Sequence, residues 1–340
     1  SDDVDIFNLS YGLDTSYGYS IANTTFEDWI ENGSQNLRDG LGAIFVKSSG
    51  NGFTGIIDAF TQELIECPIA NSLDISCQNS AQDPSHVLPQ MIVVAALNAG
   101  DGDAATNYFE SEEASASYST GGAANWISAP GGEFGENNQI IGGYFNFDEA
   151  GNGLPGKPAM MTTDQSGCDK GYVGPAWEAS NAFDNSDSPL SSNESCSYTS
   201  TFNGTSSAAP MVSGAVALML QSNAGLTWRD VKHILALTAK KLDVNRGEKT
   251  YSGVVVDTGW ITNAAGYSFH NTYGFGALDT SAAVTMAENY DVTLGEMVKA
   301  SATSVSVNQD GTPASTDISE ETVTVLSQTR KMLDPWTQFV

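Results

Sequence analysis

Positive charge is what this chain has least of. It holds 13 Lys and Arg against 41 Asp and Glu, a formal net charge of −28. Binding to nucleic-acid phosphates needs basic patches, so nucleic acid is excluded as a partner class. Anionic membrane surfaces are excluded for the same reason. No signal-peptide pattern and no long apolar run is present, so no membrane span is encoded and a mature or processed secreted chain is expected. The acid excess favours solubility, can steer cationic substrates, and suits a protein secreted into salty surroundings. Histidine is nearly absent, with only His86, His233 and His270. Cysteine is sparse as well. Its four copies fall into two local couples, Cys67/Cys77 and Cys168/Cys196. Their wide spacing, without Cys-x-x-Cys or nearby histidines, argues against zinc. An even count in a Gly-rich acidic chain points to two disulfides in an oxidising compartment. Of the three possible connectivities, the local pairing is expected.

A chain of 340 residues can bury a full core. Residues 4–11 and 43–49 read as strands. Met91–Leu97 is a continuous apolar run, as in a strand buried on both faces of a parallel sheet. A helix is expected over 25–39, capped by Thr25, with Phe26, Trp29, Ile30 and Leu37 on one face. Strand, helix and strand at this spacing imply right-handed crossovers and a parallel α/β sheet. Further helices are expected over 206–221 and 227–242, the second opened by Thr227 and Asp230 as a capping box. The stretch 136–200 is rich in Gly, Asn, Asp and Ser and reads as a long irregular insertion. Residues 291–340 read as a linker and tail, with Thr322–Leu326 as one candidate strand.

Residues 203–210 carry the chemistry: Asn-Gly-Thr-Ser-Ser-Ala-Ala-Pro, followed by a small-residue and apolar run. A nucleophilic serine needs an exposed hydroxyl, a backbone that admits substrate, and a helix N-terminus to stabilise developing negative charge. Gly204 permits the close approach, and Pro210 suits a first helical turn. A core helix with a serine cap would read much the same locally. Upstream, the strand 43–49 runs into Gly50-Asn51-Gly52. Taken alone, Asn-Gly is ordinary turn chemistry. The order of the motifs decides. Gly204-Thr205-Ser206-x-Ala208-x-Pro210, the Gly50-Asn51-Gly52 turn and Ser10-Tyr11-Gly12 resemble the subtilisin-like serine proteases over roughly residues 4–290. Thr227-Trp228-Arg229-Asp230-Val231 and Tyr273-Gly274-Phe275-Gly276 resemble the kexin/furin branch. An α/β-hydrolase reading fails, because Gly204-Thr205-Ser206-Ser207-Ala208 lacks the second glycine of that nucleophile elbow.

The resemblance implies a three-layer α/β fold with a parallel sheet flanked by helices. It implies Ser206 as nucleophile and Asn51 as the oxyanion-hole amide. Ser10, Tyr11 and Gly12 would form one wall of the S1 pocket and pair with the substrate backbone. Ser48, Ser49 and Gly50 would form the opposite wall. The family's catalytic Asp and His precede the Ser10-Tyr11-Gly12 strand, so they are expected from an N-terminal segment absent from this chain. The three histidines present are read as structural or surface residues. Kexin-branch S1 pockets are acidic, and Asp14, with Asp83 as a second candidate, would give a preference for basic P1 residues. Tyr11, where that branch usually has Trp, and Leu13, where it has Pro, depart from the pattern. Structural calcium is implied by the family, and Asp148, Glu149, Asp164, Asp169, Asp184 and Asp187 are candidate ligands within the insertion. Expected partners are a protein or peptide substrate and a propeptide or chaperone inhibitor. The rival from another class is a non-catalytic subtilase-fold module that binds peptides or builds an extracellular assembly.

Overall fold

A computed structural model describes residues 4–12, 24–57, 64–98, 114–133, 159–173, 183–187, 189, 191–292 and 294. Four strands, β1 (Ile6–Leu9), β2 (Ile44–Ser48), β3 (Met91–Leu97) and β4 (Asn125–Pro130), form one sheet in that order, and every neighbouring pair is parallel. All residues of β2 and β3 are buried. A helical layer on each face removes the polar alternation of a half-wet strand.

The two faces follow from the period of two along each strand. Ile44 and Val46 of β2 and Ile92, Val94 and Ala96 of β3 face three helices: α2 (Thr205–Ser222), α3 (Trp228–Thr238) and α4 (Thr280–Glu288). Ala43, Phe45, Met91 and Val93 face the other way, onto Ile30 of α1 (Thr24–Asn36). Helices, sheet and helix make the expected three-layer α/β architecture. Among the described residues, no helix is long and apolar enough to cross a membrane.

Several boundaries differ from expectation. Helix α1 begins at Thr24, so Thr25 lies inside it instead of capping it. It ends at Asn36, and Arg38 and Asp39 turn left-handed with φ of 54° and 55°. The expected apolar face holds: Phe26 and Leu37 pack with Ile30, and the Trp29 ring meets Phe45 edge-on at 5.4 Å. The capping box at α3 forms as expected. Thr227 Oγ1 accepts from the Asp230 amide at 3.2 Å, and Asp230 Oδ2 accepts from the Thr227 amide at 2.8 Å. The helix stops at Thr238, not near 242, because the Lys240 backbone pairs with Ala277 in both directions.

The reading of 136–200 as irregular is corrected in part. Within it, β5 (Met160–Thr163) pairs antiparallel with β6 (Tyr198–Phe202). Threonines and aromatics favour extended backbone there. The cysteines pair locally, Cys67 with Cys77 and Cys168 with Cys196. The chain divides into two units, Ser1–Tyr290 and Asp291–Val340, and the candidate strand at 322–326 lies outside the described residues.

His233 and His270 are buried structural residues. His233 sits between the hydroxyls of Tyr290 and Tyr267, at 2.5 and 2.7 Å. His270 Nδ1 accepts from the Thr272 amide at 3.0 Å, and its ring lies against Trp260 and Tyr273. Burial, assisted by Arg246 and Lys249 and opposed by Asp257, lowers its pKa to about 4. The unfolded chain therefore takes up this proton near 6.5, well before the native state does. Native stability contributed by neutral His270 is full above pH 6.5 and falls as pH drops from there to about 4. Urea midpoints measured across this window should decline on acidification. His270→Gln should flatten that decline.

Candidate active site

The site is built at the head of α2, beside the ends of β1 and β2. Gly204 is the N-cap, with φ of 99°, a conformation that L side chains rarely adopt. A Cβ there would come within 3.4 Å of Asn51 Nδ2. The amides of a helix's first turn lack carbonyl partners one turn back. The Ser207 amide turns back to the Gly204 carbonyl at 2.9 Å, while those of Gly204 and Thr205 are met from other parts of the chain. The Gly204 amide donates to Tyr118 Oη at 2.8 Å, and that hydroxyl donates to the Gly132 carbonyl at 2.5 Å. The Thr205 amide and hydroxyl both donate to Asn51 Oδ1, at 3.0 and 2.9 Å. Thr205 Oγ1 in turn accepts from the Gly50 amide at 3.1 Å. With both donors on Oδ1, the orientation of the Asn51 amide is fixed by its partners. Its Nδ2 is left as a donor on the Gly204 side.

Pro210 lies inside the helix instead of in its first turn, because α2 begins at Thr205. The displacement has a local consequence. Pro210 has no N–H, so the Ser206 carbonyl, four residues back, loses its helical partner. The Ser10 hydroxyl replaces it, donating to the Ser206 carbonyl at 3.0 Å. The Ser206 hydroxyl makes a longer contact, 3.4 Å, with the Ser10 carbonyl. The segment expected to form a pocket wall is thus tied to the candidate nucleophile.

A cavity of about 150 Å³ opens beside Ser206. Tyr11 and Gly12 bound it on one side; Ser48, Ser49, Gly50 and Asn51 bound it on another. The loop 78–86 supplies the remainder, including Ser80, Asp83 and His86. The structure therefore brings together the expected Tyr11, Gly12, Ser48, Ser49, Gly50 and Asp83 with Asn51 and Ser206. Ser10 takes part through its bonds to Ser206, and Asp14 lies outside the described residues.

Lys47 and His86 are part of this site, and sequence reasoning did not place them there. Lys47 interrupts the apolar run of β2 yet is 2% exposed. Its Nζ donates to the Tyr11 carbonyl and lies 3.8 Å from Asp83 Oδ2. Burial lowers the Lys47 pKa, and Asp83 opposes the shift. For Asp83, burial alone would raise the pKa, but His86, the Ser85 hydroxyl and amide, and Lys47 together hold it below the ordinary range. His86 Nδ1 lies 2.7 Å from the Ser80 carbonyl. Since a carbonyl only accepts, Nδ1 carries the proton. No described histidine is bonded to Ser206; the partners of His86, His233 and His270 lie elsewhere.

The calcium ligands expected in the insertion do not assemble among the described residues, where no group of three or more His, Cys, Asp or Glu could hold a metal. Asp164 spends its carboxylate on the amides of Gln165 and Val173, and Asp184 on the amide and hydroxyl of Ser200. Asp148 and Glu149 lie outside the described residues.

A parallel α/β sheet with a serine at a helix head, an oriented amide donor opposite and a polar cavity alongside has the form of a serine-hydrolase site. A model of the subtilase family matches residues 1–276, and the chain belongs to that family. It is 33% identical over 297 residues to the extracellular serine protease of Aeromonas sobria, which covers 84% of this chain and 41% of that protein. It is 36% identical over 92 residues to human furin, 27% of this chain and 10% of furin. A crystal structure of an A. sobria serine protease superposes with a TM-score of 0.66 at 31% identity, covering 87% of this chain and 45% of that one. The same comparison with a complex of A. sobria serine protease and the chaperone ORF2 gives 0.63 at 31% identity, with 86% and 44% covered. The chain thus spans less than half the length of these proteins.

The Thr205 clamp is directly testable. Thr205→Val deletes the hydroxyl that joins Gly50 to Asn51 and leaves the partly buried Gly50 amide without its partner, a cost of about 1 kcal/mol. The urea midpoint should fall accordingly, and Thr205→Ser should recover most of the loss.

Proposed function

We propose that this chain is the nucleophile-bearing part of a secreted serine endopeptidase. Ser206 Oγ attacks the scissile carbonyl. Asn51 Nδ2 and the Ser206 amide stabilise the oxyanion. The observation that carries this reading is the double hydrogen bond on Asn51 Oδ1, which turns the amide's donor face toward the helix head. The triad Asp and His come from residues that precede this chain in a longer protein. The segment Ser10–Gly12 receives the substrate backbone as an added strand. The cavity beside Ser206 holds the P1 side chain, and Asp83 on its lining supports a basic residue there. A propeptide or chaperone partner is supported by the A. sobria protease–chaperone complex. Membership of the family also supports a structural calcium ion.

The test uses the longer protein and a panel of fluorogenic peptides. Ser206→Ala should abolish hydrolysis. Asn51→Ala should lower kcat by about 10²–10³ with little change in KM; the magnitude is that known for subtilisin itself, of the same family. A folded longer protein that binds these peptides and hydrolyses none would overturn the peptidase in favour of a binding module.

A further inference from the structure

Strand β2 opens with Ile44, Phe45 and Val46 and then carries Lys47, which is 2% exposed. By the period of two, its side chain leaves the sheet on the same face as Ala43 and Phe45, the face that packs on α1. An apolar residue would fill this position without desolvating a charge, and a buried ion pair seldom repays that cost in stability. Stability alone therefore gives no reason for a lysine here. The reason lies in where its ammonium goes. Nζ donates to the Tyr11 carbonyl, lies 3.8 Å from Asp83 Oδ2 and stands 4.8 Å from the centre of the Tyr11 ring. A Cβ on Gly12 would lie 3.7 Å from the same nitrogen. Tyr11, Gly12 and Asp83 all line the cavity beside Ser206, and Lys47 stands behind them.

Lys47 takes over where the sheet stops. The ladder between β1 and β2 runs from the pair Ile6 and Ile44 to the pair Leu9 and Lys47, and ends there. The next residues, Ser10 to Gly12, belong to no strand. Side chains hold them instead: the Ser10 hydroxyl donates to the Ser206 carbonyl at 3.0 Å, and the Lys47 ammonium donates to the Tyr11 carbonyl. The two neighbouring carbonyls face different groups. That of Ser10 lies 3.4 Å from Ser206 Oγ, whereas that of Tyr11 is turned inward to Lys47. A strand added along this wall pairs through alternate residues. Those residues are Ser10 and Gly12, and the arrangement needs Tyr11 turned away.

Asp83 supports the lysine in this task. Its Oδ1 takes the amide and hydroxyl of Ser85, at 2.9 and 2.5 Å, so Oδ2 is the oxygen that faces Lys47. Burial lowers the Lys47 pKa, and Asp83 opposes the shift. The carboxylate thus favours the charged ammonium, the stronger donor to a carbonyl.

We infer that Lys47 is a positioning residue: its ammonium holds the Tyr11 carbonyl inward and so sets the backbone groups of Ser10 and Gly12 to receive an extended peptide. This deepens the peptidase reading and rests on it for the course of the peptide along this wall. Lys47 touches neither the substrate nor the reacting atoms and acts through the segment it fastens. Its contribution therefore grows with the length of peptide lying on the wall and is small for a substrate reduced to its P1 residue. The wall is preorganised, which spares the peptide the cost of ordering it.

The test uses the longer protein and two aminomethylcoumarin substrates that share the P1 residue favoured by the peptide panel. One is an acetyl-capped tetrapeptide with three alanines before that residue; the other is the acetyl-capped residue alone. Lys47→Met keeps the stem and removes the donor. It should lower kcat/KM for the tetrapeptide roughly tenfold, mostly through KM, and change it by no more than about threefold for the short substrate. A merely structural lysine would lower both in proportion. Lys47→Met also leaves Asp83 as an unpaired buried charge. If that variant does not fold, Lys47→Met made on Asp83→Asn, measured against Asp83→Asn alone, should show the same selective loss. An equal fall for both substrates, or no fall for the tetrapeptide, in a variant whose circular dichroism matches its reference would overturn the inference. If the longer protein hydrolyses neither substrate, the peptidase reading fails alone. Calorimetric titration with the same two compounds then decides the role of Lys47: a selective loss of tetrapeptide affinity in the variant sustains it, and an unchanged ratio or binding of neither compound overturns it.

Discussion

Asn51 and Thr205 stand 154 residues apart in sequence, yet two hydrogen bonds from Thr205 converge on one oxygen of Asn51. The rest of the site depends on this junction. It joins the turn after β2 to the head of α2, the two elements that a serine nucleophile and an oxyanion donor need to share. It also spends the acceptor end of the amide, so the donor end is the one presented. The junction is rigid because both sides are anchored in the core. All five residues of β2 are buried, and Ala208, Ala209 and Val212 of α2 pack against the same sheet face. Catalytic amides of this kind act through preorganisation: the cost of orienting the dipole is met in folding, before substrate arrives.

The first turn of α2 carries a second constraint of the same type. Pro210 removes a helical donor, Ser10 supplies the replacement, and the segment beyond β1 is drawn to Ser206. Tyr118 performs the corresponding task for the Gly204 amide. Three segments far apart in sequence are thereby fastened to the orphan groups of one helix end. Electrostatics then finishes the cavity. Lys47 and Asp83 hold opposite charges near one another with little exposure, and burial, helped by Lys47 and opposed by Asp83, lowers the His86 pKa.

Much of this was legible in the sequence. The continuous apolar run 91–97 gave a doubly buried parallel strand. Thr227 and Asp230 gave a capping box. The ordered motifs around Ser10, Asn51 and Ser206 gave the site's outline and the family. What stayed hidden depends on three-dimensional partners. Pro210 suited a first turn by its own chemistry, and only the position of Gly204 as N-cap moves it inward. Met160–Thr163 and Tyr198–Phe202 are too short and too polar to stand out from a Gly/Asp/Ser-rich stretch. Each becomes a strand by pairing with the other. His86 read as a loop histidine because its role lies in a carbonyl and a carboxylate that the fold brings to it. Two signals were present nevertheless: a lysine in the middle of an apolar strand, and an Asp and a His three residues apart in the loop that follows Cys77.

The central claim is that Ser206 becomes a nucleophile once a base from outside this chain reaches it. Fluorophosphonate labelling of the longer protein, followed by peptide mapping, tests that claim most directly. The account predicts one labelled site, Ser206, with labelling lost when the preceding segment is removed. A folded longer protein that leaves Ser206 unlabelled, or is labelled at another serine, would contradict it.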